Sequence, residues 1–300
     1  MCGIAGIFVP RDVAPPTAEP GSMTAAMRHR GPDGDGRWAS ADGRYKAAFV
    51  RLATIDLATG DQPLVGAGDR LVLMGNGEIY NYLELRAENP DYPYKTQGDM
   101  EVALVLADRM GDRFVEPLNG MYALALYDAG AHRLVLVRDR LGVKPLYWAR
   151  LAGGGLVFAS EVKALFASGL VSPAVDEEAV SAYLAHGFVP APRTLFRGIE
   201  KLPPGCRLIA DAKGEITVDR YWRARAAEDL PHDVDAIEEH LLALLRDSVG
   251  LQLRSDVPVG ALLSGGIDSG LMVALAAQEA SSPINTWRNR AERLLSLSCG

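Results

Sequence analysis

The chain has 300 residues, of which 48% are hydrophobic and 23% are charged, and its formal net charge is −7. This length predicts two domains, and the composition is that of a globular protein rather than a disordered one. The negative charge argues against a general nucleic-acid or anionic-membrane binder, and no apolar run reaches the roughly 18 residues of a membrane-spanning helix.

The cysteines indicate neither a disulfide framework nor a metal site. Cys2, Cys206 and Cys299 are odd in number and far apart, and they form no CxxC pair that could hold zinc. The N-terminus lacks the basic segment that opens a signal peptide, since Arg11 follows the apolar run. We therefore expect a cytoplasmic protein without a bound metal.

Short strands are predicted to dominate the first two-thirds of the chain. Runs rich in β-forming residues and bounded by Gly, Asp or Pro cover residues 2–9, 47–57, 71–75, 121–128, 134–138 and 156–160. The turn at Ala129-Gly130 predicts a hairpin between the fourth and fifth of these runs. Helices are predicted from Asp99 to Gly111 and from Asp176 to Gly187, because Asp is a good N-cap and Gly a good C′ residue.

The pattern changes near residue 235, where Asp235 and Glu238 resemble a capping box that opens a third helix. Further on, a buried strand over 257–263, a glycine loop and a helix are predicted. This order is typical of the opening unit of an α/β nucleotide-binding domain. We therefore predict a domain over residues 1–205, a connecting segment over 206–234 and a second domain over 235–300.

Cys2 is the strongest chemical signal in the sequence. Methionine aminopeptidases remove Met1 when the next residue is small, which would leave a thiol and an α-amine on one residue. An α-amine with a pKa of about 8 can act as the general base for that thiol, directly or through a water. Position alone favours a buried structural cysteine, and a lipidated Met-Cys lacks a polybasic flank.

Other residues supply the groups that an amide-cleaving thiol would need. The Asn76 side chain and the Gly77 N–H could stabilise an oxyanion. Arg51 could bind a substrate carboxylate through its guanidinium fork, and Asp99 could bind a substrate ammonium. Each has an ordinary alternative when taken singly: Asn76-Gly77 could be a hairpin turn, Arg51 a surface arginine and Asp99 a helix N-cap.

Eight segments in order closely resemble the class II glutamine amidotransferases, and among them the glutamine-hydrolysing asparagine synthetases of the B type. These segments are residues 1–6, 29–34, 51–57, 75–81, 96–101, 118–123, 138–147 and 158–165. The resemblance implies an α+β N-terminal-nucleophile hydrolase domain with stacked antiparallel sheets between helices. It also implies hydrolysis of glutamine to glutamate and ammonia through a thioester.

The resemblance assigns roles to individual positions. Cys2 would be the nucleophile, and Asn76 and Gly77 would form the oxyanion hole. The residues that would hold glutamine are Arg51, Leu52, Ala53, Thr54, Ile55, Asn76, Gly77, Glu78 and Asp99. Ala53 and Thr54 depart from the usual Leu-Ser-Ile run, but the family contacts there are mostly made by the backbone.

The loop Ser264-Gly265-Gly266-Ile267-Asp268-Ser269 resembles the pyrophosphate loop of ATP-pyrophosphatase-type synthetases. Backbone N–H groups at a helix N-terminus favour phosphate oxygens, and no Gly-Lys-Ser/Thr follows to make a Walker A loop. A plain strand-to-helix turn is the alternative. The implied ATP-binding residues are Leu263, Ser264, Gly265, Gly266, Asp268 and Ser269.

This loop implies that the second domain is the first part of an α/β ATP-pyrophosphatase-type domain. In the family that domain adenylates the aspartate side chain with ATP and Mg²⁺, and ammonia travels through an internal tunnel to displace AMP. The implied partners are glutamine, aspartate and ATP, and a homodimer is left open. Gly270 replaces the second hydroxyl residue that often follows the loop aspartate.

The C-terminal end departs from the family pattern, which continues for a few hundred residues beyond the loop. After Ile284-Asn285-Thr286 no further sheet strand is expected, and residues 287–300 carry three arginines and one glutamate. We expect a truncated or frameshifted synthetase domain that leaves glutaminase chemistry intact, and no role for Cys299. Two alternatives remain: another class II amidotransferase, making glucosamine phosphate or phosphoribosylamine, and a non-catalytic glutamine-binding remnant.

Overall fold

The computed structural model describes residues 1–226, 233–280, 283–287 and 297–298. The chain divides into two compact units. The first comprises Met1–Ala53 and Ala58–Arg223, and the second comprises Thr54–Leu57 and Ala224–Gly300. Within the described residues, no helix is both long and apolar enough to cross a membrane.

Twelve strands build the first unit. They are β1 (Gly3–Phe8), β2 (Gly34–Ala39), β3 (Tyr45–Arg51), β4 (Leu64–Gly66), β5 (Leu71–Ile79), β6 (Gly120–Asp128), β7 (Arg133–Arg138), β8 (Tyr147–Arg150), β9 (Leu156–Ala159), β10 (Ile199–Lys201), β11 (Cys206–Ala210) and β12 (Ile216–Arg220). They form two six-stranded antiparallel sheets, in the orders β10-β8-β9-β1-β3-β2 and β12-β11-β7-β6-β5-β4. The predicted hairpin is confirmed as β6 and β7.

Strand β1 shows why the two sheets stack. Ile4 and Phe8 belong to the core between the sheets, whereas Ala5 and Ile7 belong to a core outside the first sheet. Side chains alternate across a strand, so a strand that is apolar at every position must be covered on both faces. All six residues of β1 are buried, and β5 alternates in the same way between the inner core and the outer core of the second sheet.

Helices cover the outer faces of both sheets. The first unit contains α1 (Gly21–Ala26), α2 (Tyr82–Ala87), α3 (Glu101–Met110), α4 (Val162–Ala167) and α5 (Glu177–His186). Helices α1 and α4 pack in the outer core of the first sheet, and α3 packs in that of the second. The predicted class, stacked antiparallel sheets between helices, is therefore confirmed.

Two local features differ from the predictions for the first unit. Strand β3 ends at Arg51 rather than at residue 57, because the next two N–H groups bond to the Cys2 thiol and the Asp33 carboxylate instead of a neighbouring strand. Residues 206–220, placed by prediction in a connecting segment, add β11 and β12 to the second sheet. The first unit accordingly extends to Arg223.

The second unit contains α6 (Val234–Gln252), β13 (Gly260–Leu262), α7 (Ile267–Glu279), β14 (Asn285–Trp287) and β15 (Leu297–Ser298). Strand β13 pairs in parallel with β14, which pairs antiparallel with β15. Strand β15 lies in the region after Thr286 where we expected no further strand. Residues 288–296 and 299–300, with the predicted tail and Cys299, lie outside the described residues.

Two predictions for the second unit need correction. The N-cap of α6 is Asp233, whose carboxylate accepts the Ala236 N–H at 3.1 Å, so Asp235 is inside the helix and does not open a capping box. The strand predicted over 257–263 forms only over Gly260–Leu262 and is partly exposed. The prediction that this strand is buried rested on its apolar residues alone. In the described part of the chain its two faces are not both covered by other residues.

Candidate functional site

The Cys2 thiol lies against the end of β3. The Leu52 N–H donates to Cys2 Sγ at 3.3 Å, and Sγ is 3.5 Å from the Leu52 carbonyl oxygen. The charges of Asp99 and Arg51 also act on this thiol. The pairing of β1 with β3 brings Arg51 and Leu52 to this thiol, since Gly3 lies opposite Val50. The structure thus places Leu52 in contact with the Cys2 thiol, and Arg51 and Asp99 within electrostatic range of it.

Burial raises the pKa of the Cys2 thiol, whereas the Leu52 N–H and the positive terminal amine lower it. The thiol therefore needs a base to become a nucleophile at neutral pH. Burial also lowers the pKa of the terminal amine, as do the positive charges of Arg30 and Lys144. In the described chain this amine belongs to Met1, which is exposed.

Arg30 fixes the backbone that carries the thiol. Its Nε donates to the Cys2 carbonyl oxygen at 2.8 Å, and its Nη1 donates to Glu161 Oε1 at 3.0 Å. The guanidinium is buried, so these bonds form away from bulk water. The sequence predicted no role for Arg30, because no local sequence pattern shows that residues 2, 30 and 161 meet.

Asn76 has an unusual environment for an amide. It is fully buried in β5, and neither Oδ1 nor Nδ2 has a hydrogen-bond partner among the described residues. A buried polar group without a partner destabilises a fold by about 1–3 kcal/mol. The hairpin-turn alternative is wrong, because Asn76 and Gly77 pair with Ala123 and Tyr122 in the middle of a ladder. The hydrogen-bonding capacity of the Asn76 amide is therefore unused within the described residues.

Gly77 cannot be replaced by a residue with a side chain without a backbone shift. Its φ is 150°, and an added Cβ would lie 1.9 Å from the Met121 carbonyl oxygen. L-residues rarely adopt this conformation, so glycine is required there. The oxyanion-hole role predicted for Asn76 and Gly77 stays a prediction.

Asp99 is a buried carboxylate. Its Oδ2 accepts the Ile79 N–H at 2.7 Å, and it forms no ion pair within the described residues. Burial raises its pKa to about 7, the negative charge of Glu78 also raises it, and the Ile79 N–H opposes this shift. Helix α3 has Met100 as its N-cap, so the N-cap alternative for Asp99 is wrong. A buried anion of this kind favours a cationic ligand.

Replacing Asp99 by asparagine should stabilise the unliganded protein more at pH 8 than at pH 5. The folded-state pKa of about 7 lies above the reference value of 3.8, so the folded state binds more protons between these values. The contribution of the Asp99 proton to the free energy of unfolding is fully present below about pH 4, and it is lost as the pH rises through about 7. The asparagine side chain keeps an oxygen for the Ile79 N–H and carries no charge.

Thermal unfolding of both proteins at pH 5 and pH 8 measures this difference. Asp12→Asn removes an exposed carboxylate of the same charge and is the control for the general loss of one negative charge. An Asp99→Asn protein whose stability gain is equal at the two pH values would show that the Asp99 carboxyl does not titrate in this range.

The other predicted glutamine-binding residues divide between the units. Leu52 and Ala53 lie beside Cys2 and Asp33, and Glu78 continues β5 after Gly77. Thr54 and Ile55 belong to the second unit. There the Thr54 carbonyl oxygen accepts the Asp256 N–H at 2.9 Å.

Lys144 is a further charged group near the thiol that sequence reasoning passed over. Its side chain is buried, and the charges of Glu78 and Cys2 act on it. Burial lowers the pKa of its ammonium, while Glu78 opposes the shift. Asp139 fixes this loop by accepting the N–H groups of Leu141, Val143 and Lys144 at 2.9–3.1 Å.

In the second unit, the predicted phosphate loop precedes α7. Gly266 is the N-cap residue, its N–H donates to Ser264 Oγ at 3.3 Å, and Ser264 Oγ and Ser269 Oγ are 2.9 Å apart. Gly265 has a φ of 90°, and an added Cβ would meet no atom within 4 Å. Leu263 precedes this loop, and Asp268 lies in the first turn of α7. The open helix N-terminus fits a phosphate group.

Within the described residues, no group of three or more His, Cys, Asp or Glu side chains could hold a metal ion. The two free cysteines of this part of the chain, Cys2 and Cys206, differ in setting. Cys206 is buried in the core between the sheets, whereas Cys2 is half-buried. Of these two, it is Cys2 that lies beside the groups described above.

Two family models match successive parts of the chain. A family model of the glutamine amidotransferase domain matches residues 1–222, and one of asparagine synthase matches residues 240–290. Asparagine synthetase [glutamine-hydrolyzing] 1 of Bacillus subtilis is 35% identical, with 93% of this chain and 44% of that protein covered. Asparagine synthetase B of Escherichia coli is 37% identical, with 94% and 46% covered.

A Mycobacterium tuberculosis protein, provisionally assigned as a glutamine-hydrolysing asparagine synthetase, is 41% identical over 92% of this chain and 46% of its own length. The chain thus spans about half the length of the curated relatives it matches.

Among solved structures, the glutamine phosphoribosylpyrophosphate amidotransferase of B. subtilis matches with a TM-score of 0.53 at 20% identity, covering 92% of this chain and 64% of that one. An allosteric regulatory enzyme of purine biosynthesis matches with a TM-score of 0.55 at 20% identity, covering 95% and 65%. At this identity the likeness concerns the fold, which is that of an N-terminal-nucleophile hydrolase with two stacked sheets. The chain belongs to the class II glutamine amidotransferase family and is a homologue of the glutamine-hydrolysing asparagine synthetases.

Proposed function

We propose that the first unit hydrolyses glutamine to glutamate and ammonia, with Cys2 as the nucleophile. The observation that carries this proposal is the fully buried Asn76 amide, which has no partner among the described residues. A folded protein retains such a group where a ligand completes its hydrogen bonds. The Cys2 thiol, the buried Arg51 guanidinium and the buried Asp99 carboxylate support the same assignment, since an amino acid carries one carboxylate and one ammonium.

In the proposed reaction, removal of Met1 transfers the terminal amine to Cys2. The neutral amine takes the thiol proton, directly or through a water, and Sγ attacks the carboxamide carbon of glutamine. The carbonyl oxygen becomes an oxyanion that accepts hydrogen bonds from Asn76 Nδ2 and the Gly77 N–H. The C–N bond then breaks, and the amine proton passes to the leaving nitrogen, which departs as ammonia.

A glutamyl thioester on Cys2 remains. Water, deprotonated by the same amine, attacks the thioester carbon, and the C–S bond breaks to give glutamate and the thiol. Throughout, Arg51 binds the α-carboxylate and ionised Asp99 binds the α-ammonium, so both ends of the amino-acid head are recognised. We also assign Leu52, Ala53, Thr54, Ile55 and Glu78 to glutamine binding.

The direct test is to incubate the purified chain with L-glutamine and to measure glutamate and ammonia. We expect the two products in equal amounts, and no release from D-glutamine, whose ammonium and carboxylate cannot both meet Asp99 and Arg51. Intact mass should show that Met1 is absent from the active protein. Folded protein that releases no glutamate from L-glutamine would overturn the proposal, and activity with Met1 retained would overturn the terminal-amine mechanism.

We further propose that the whole protein is a glutamine-dependent asparagine synthetase. The match of residues 240–290 to asparagine synthase supports this acceptor over the sugar-phosphate alternatives. ATP with Mg²⁺, whose chemistry is the activation of the aspartate carboxylate, would be held by Leu263, Ser264, Gly265, Gly266, Asp268 and Ser269. In this scheme the loop N–H groups bind phosphate oxygens, and ammonia from the first unit amidates the activated aspartate.

A further inference from the structure

Arg51 already has a carboxylate partner in the described chain. Its Nη1 lies 2.8 Å from Asp61 Oδ1. The two partners differ in setting, because the Arg51 side chain is 9% exposed and the Asp61 side chain is 83% exposed. The buried Arg51 guanidinium is therefore paired with an Asp61 carboxylate that remains largely exposed to solvent.

The backbone next to Asp61 is fixed. Gln62 Nε2 donates to the Gly75 carbonyl oxygen at 3.1 Å, and the Gly75 N–H donates to Gln62 Oε1 at 2.6 Å. These two bonds attach the residue after Asp61 to β5, one position before Asn76. Since the Asp61 side chain is exposed and takes no part in these bonds, its carboxylate can leave Arg51 without disturbing this attachment.

We propose that Asp61 occupies the place of the substrate α-carboxylate on Arg51, and that glutamine must displace it to bind. This inference rests on the proposed function, in which Arg51 binds that carboxylate. Asp61 then acts through Arg51 and sets the affinity for glutamine, while the groups that carry out the chemistry are untouched. A carboxylate on the same chain competes with the substrate at a fixed effective concentration.

The size of the effect follows from the strength of the ion pair. The apparent affinity for glutamine is the intrinsic affinity multiplied by the fraction of molecules in which Arg51 is not paired with Asp61. Ion pairs with an exposed partner contribute about 0.2–1 kcal/mol, which corresponds to roughly a 1.5- to 5-fold change in an equilibrium constant. Removing the Asp61 charge should therefore lower KM for glutamine by about that factor and leave kcat within twofold of the wild type.

The test compares Asp61→Asn with the wild type in steady-state glutamine hydrolysis, and repeats the comparison as calorimetric binding of L-glutamine to Cys2→Ala protein. Asp61→Glu, which keeps the carboxylate on a longer side chain, should return KM towards the wild-type value. Asp69→Asn is the matched control: it removes a carboxylate between β4 and β5 that pairs with no arginine in the described part of the chain. We expect it to leave KM and kcat unchanged.

A lower KM and a lower Kd in Asp61→Asn alone would support the proposal. An unchanged or higher KM in an otherwise active Asp61→Asn protein would overturn it, since a higher KM means that Asp61 positions Arg51 for the substrate. If wild-type protein neither hydrolyses nor binds L-glutamine, the proposed function itself fails. The two failures are therefore distinguishable.

Discussion

Replacing Asn76 by alanine should lower kcat for glutamine hydrolysis by about 10²–10³-fold, the loss expected for one oxyanion-hole donor. The same change should not weaken the fold. Asn76 is fully buried and both of its polar side-chain atoms lack partners among the described residues, so alanine removes an unpaired amide from the interior. We expect the free energy of unfolding to rise or to stay within about 1 kcal/mol of the wild type. Steady-state kinetics and denaturant unfolding measure the two quantities.

Asn89→Ala is the matched control for this prediction. Asn89 is also buried, but its Nδ2 donates to the Leu85 carbonyl oxygen at 2.7 Å. Alanine there should lower the free energy of unfolding by about 1 kcal/mol and leave kcat of the folded protein unchanged. An Asn76→Ala protein that keeps its kcat would contradict the oxyanion role, whatever happens to its stability.

Replacing Cys2 by alanine should lower glutamine hydrolysis by a factor on the order of 10³ or more, because loss of the nucleophile removes the covalent route. Alanine is also small, so removal of Met1 should proceed as before. Arg51 and Asp99 remain in place, and the variant should still bind L-glutamine. Cys206→Ala removes the other free thiol of the described residues, which is buried in the core between the sheets, and should leave kcat unchanged.

Two results would contradict the role of Cys2. The first is a Cys2→Ala protein that retains glutaminase activity within tenfold of the wild type. The second is a loss of activity in Cys2→Ala that is accompanied by loss of the folded state, since Cys2 would then be a structural residue. Circular dichroism and thermal unfolding of the purified variant separate these cases.

Much of the fold could be predicted because its signals are local. The apolar runs that became β1, β5, β6 and β7 are continuous, as strands buried on both faces must be, and a short turn joins β6 to β7. The ends of the strands and helices were harder to predict. Whether a strand stops at Arg51 or a helix is capped by Asp233 depends on which side chain reaches the free N–H groups, and that is a property of the folded structure.

In the candidate site, too, local signals could be predicted and tertiary contacts could not. Cys2, Asn76 and Asp99 could be proposed because each residue type suits amide cleavage and because their segments resemble a known family. The groups that hold the site together could not be found in this way. Arg30 bonds to a carbonyl 28 positions away, and Asp61 meets Arg51 through a loop, so their contacts depend on tertiary structure.

Acid-quenched mass spectrometry of the protein during glutamine turnover can detect the proposed glutamyl thioester on Cys2. We expect a protein that lacks Met1 and carries one glutamyl group, mapped to Cys2 and released by hydroxylamine as a thioester would be. The adduct should be absent from Cys2→Ala and should accumulate in the wild type when thioester hydrolysis is slowed by low temperature. Turnover with no adduct on Cys2, or an adduct on another residue, would contradict the account.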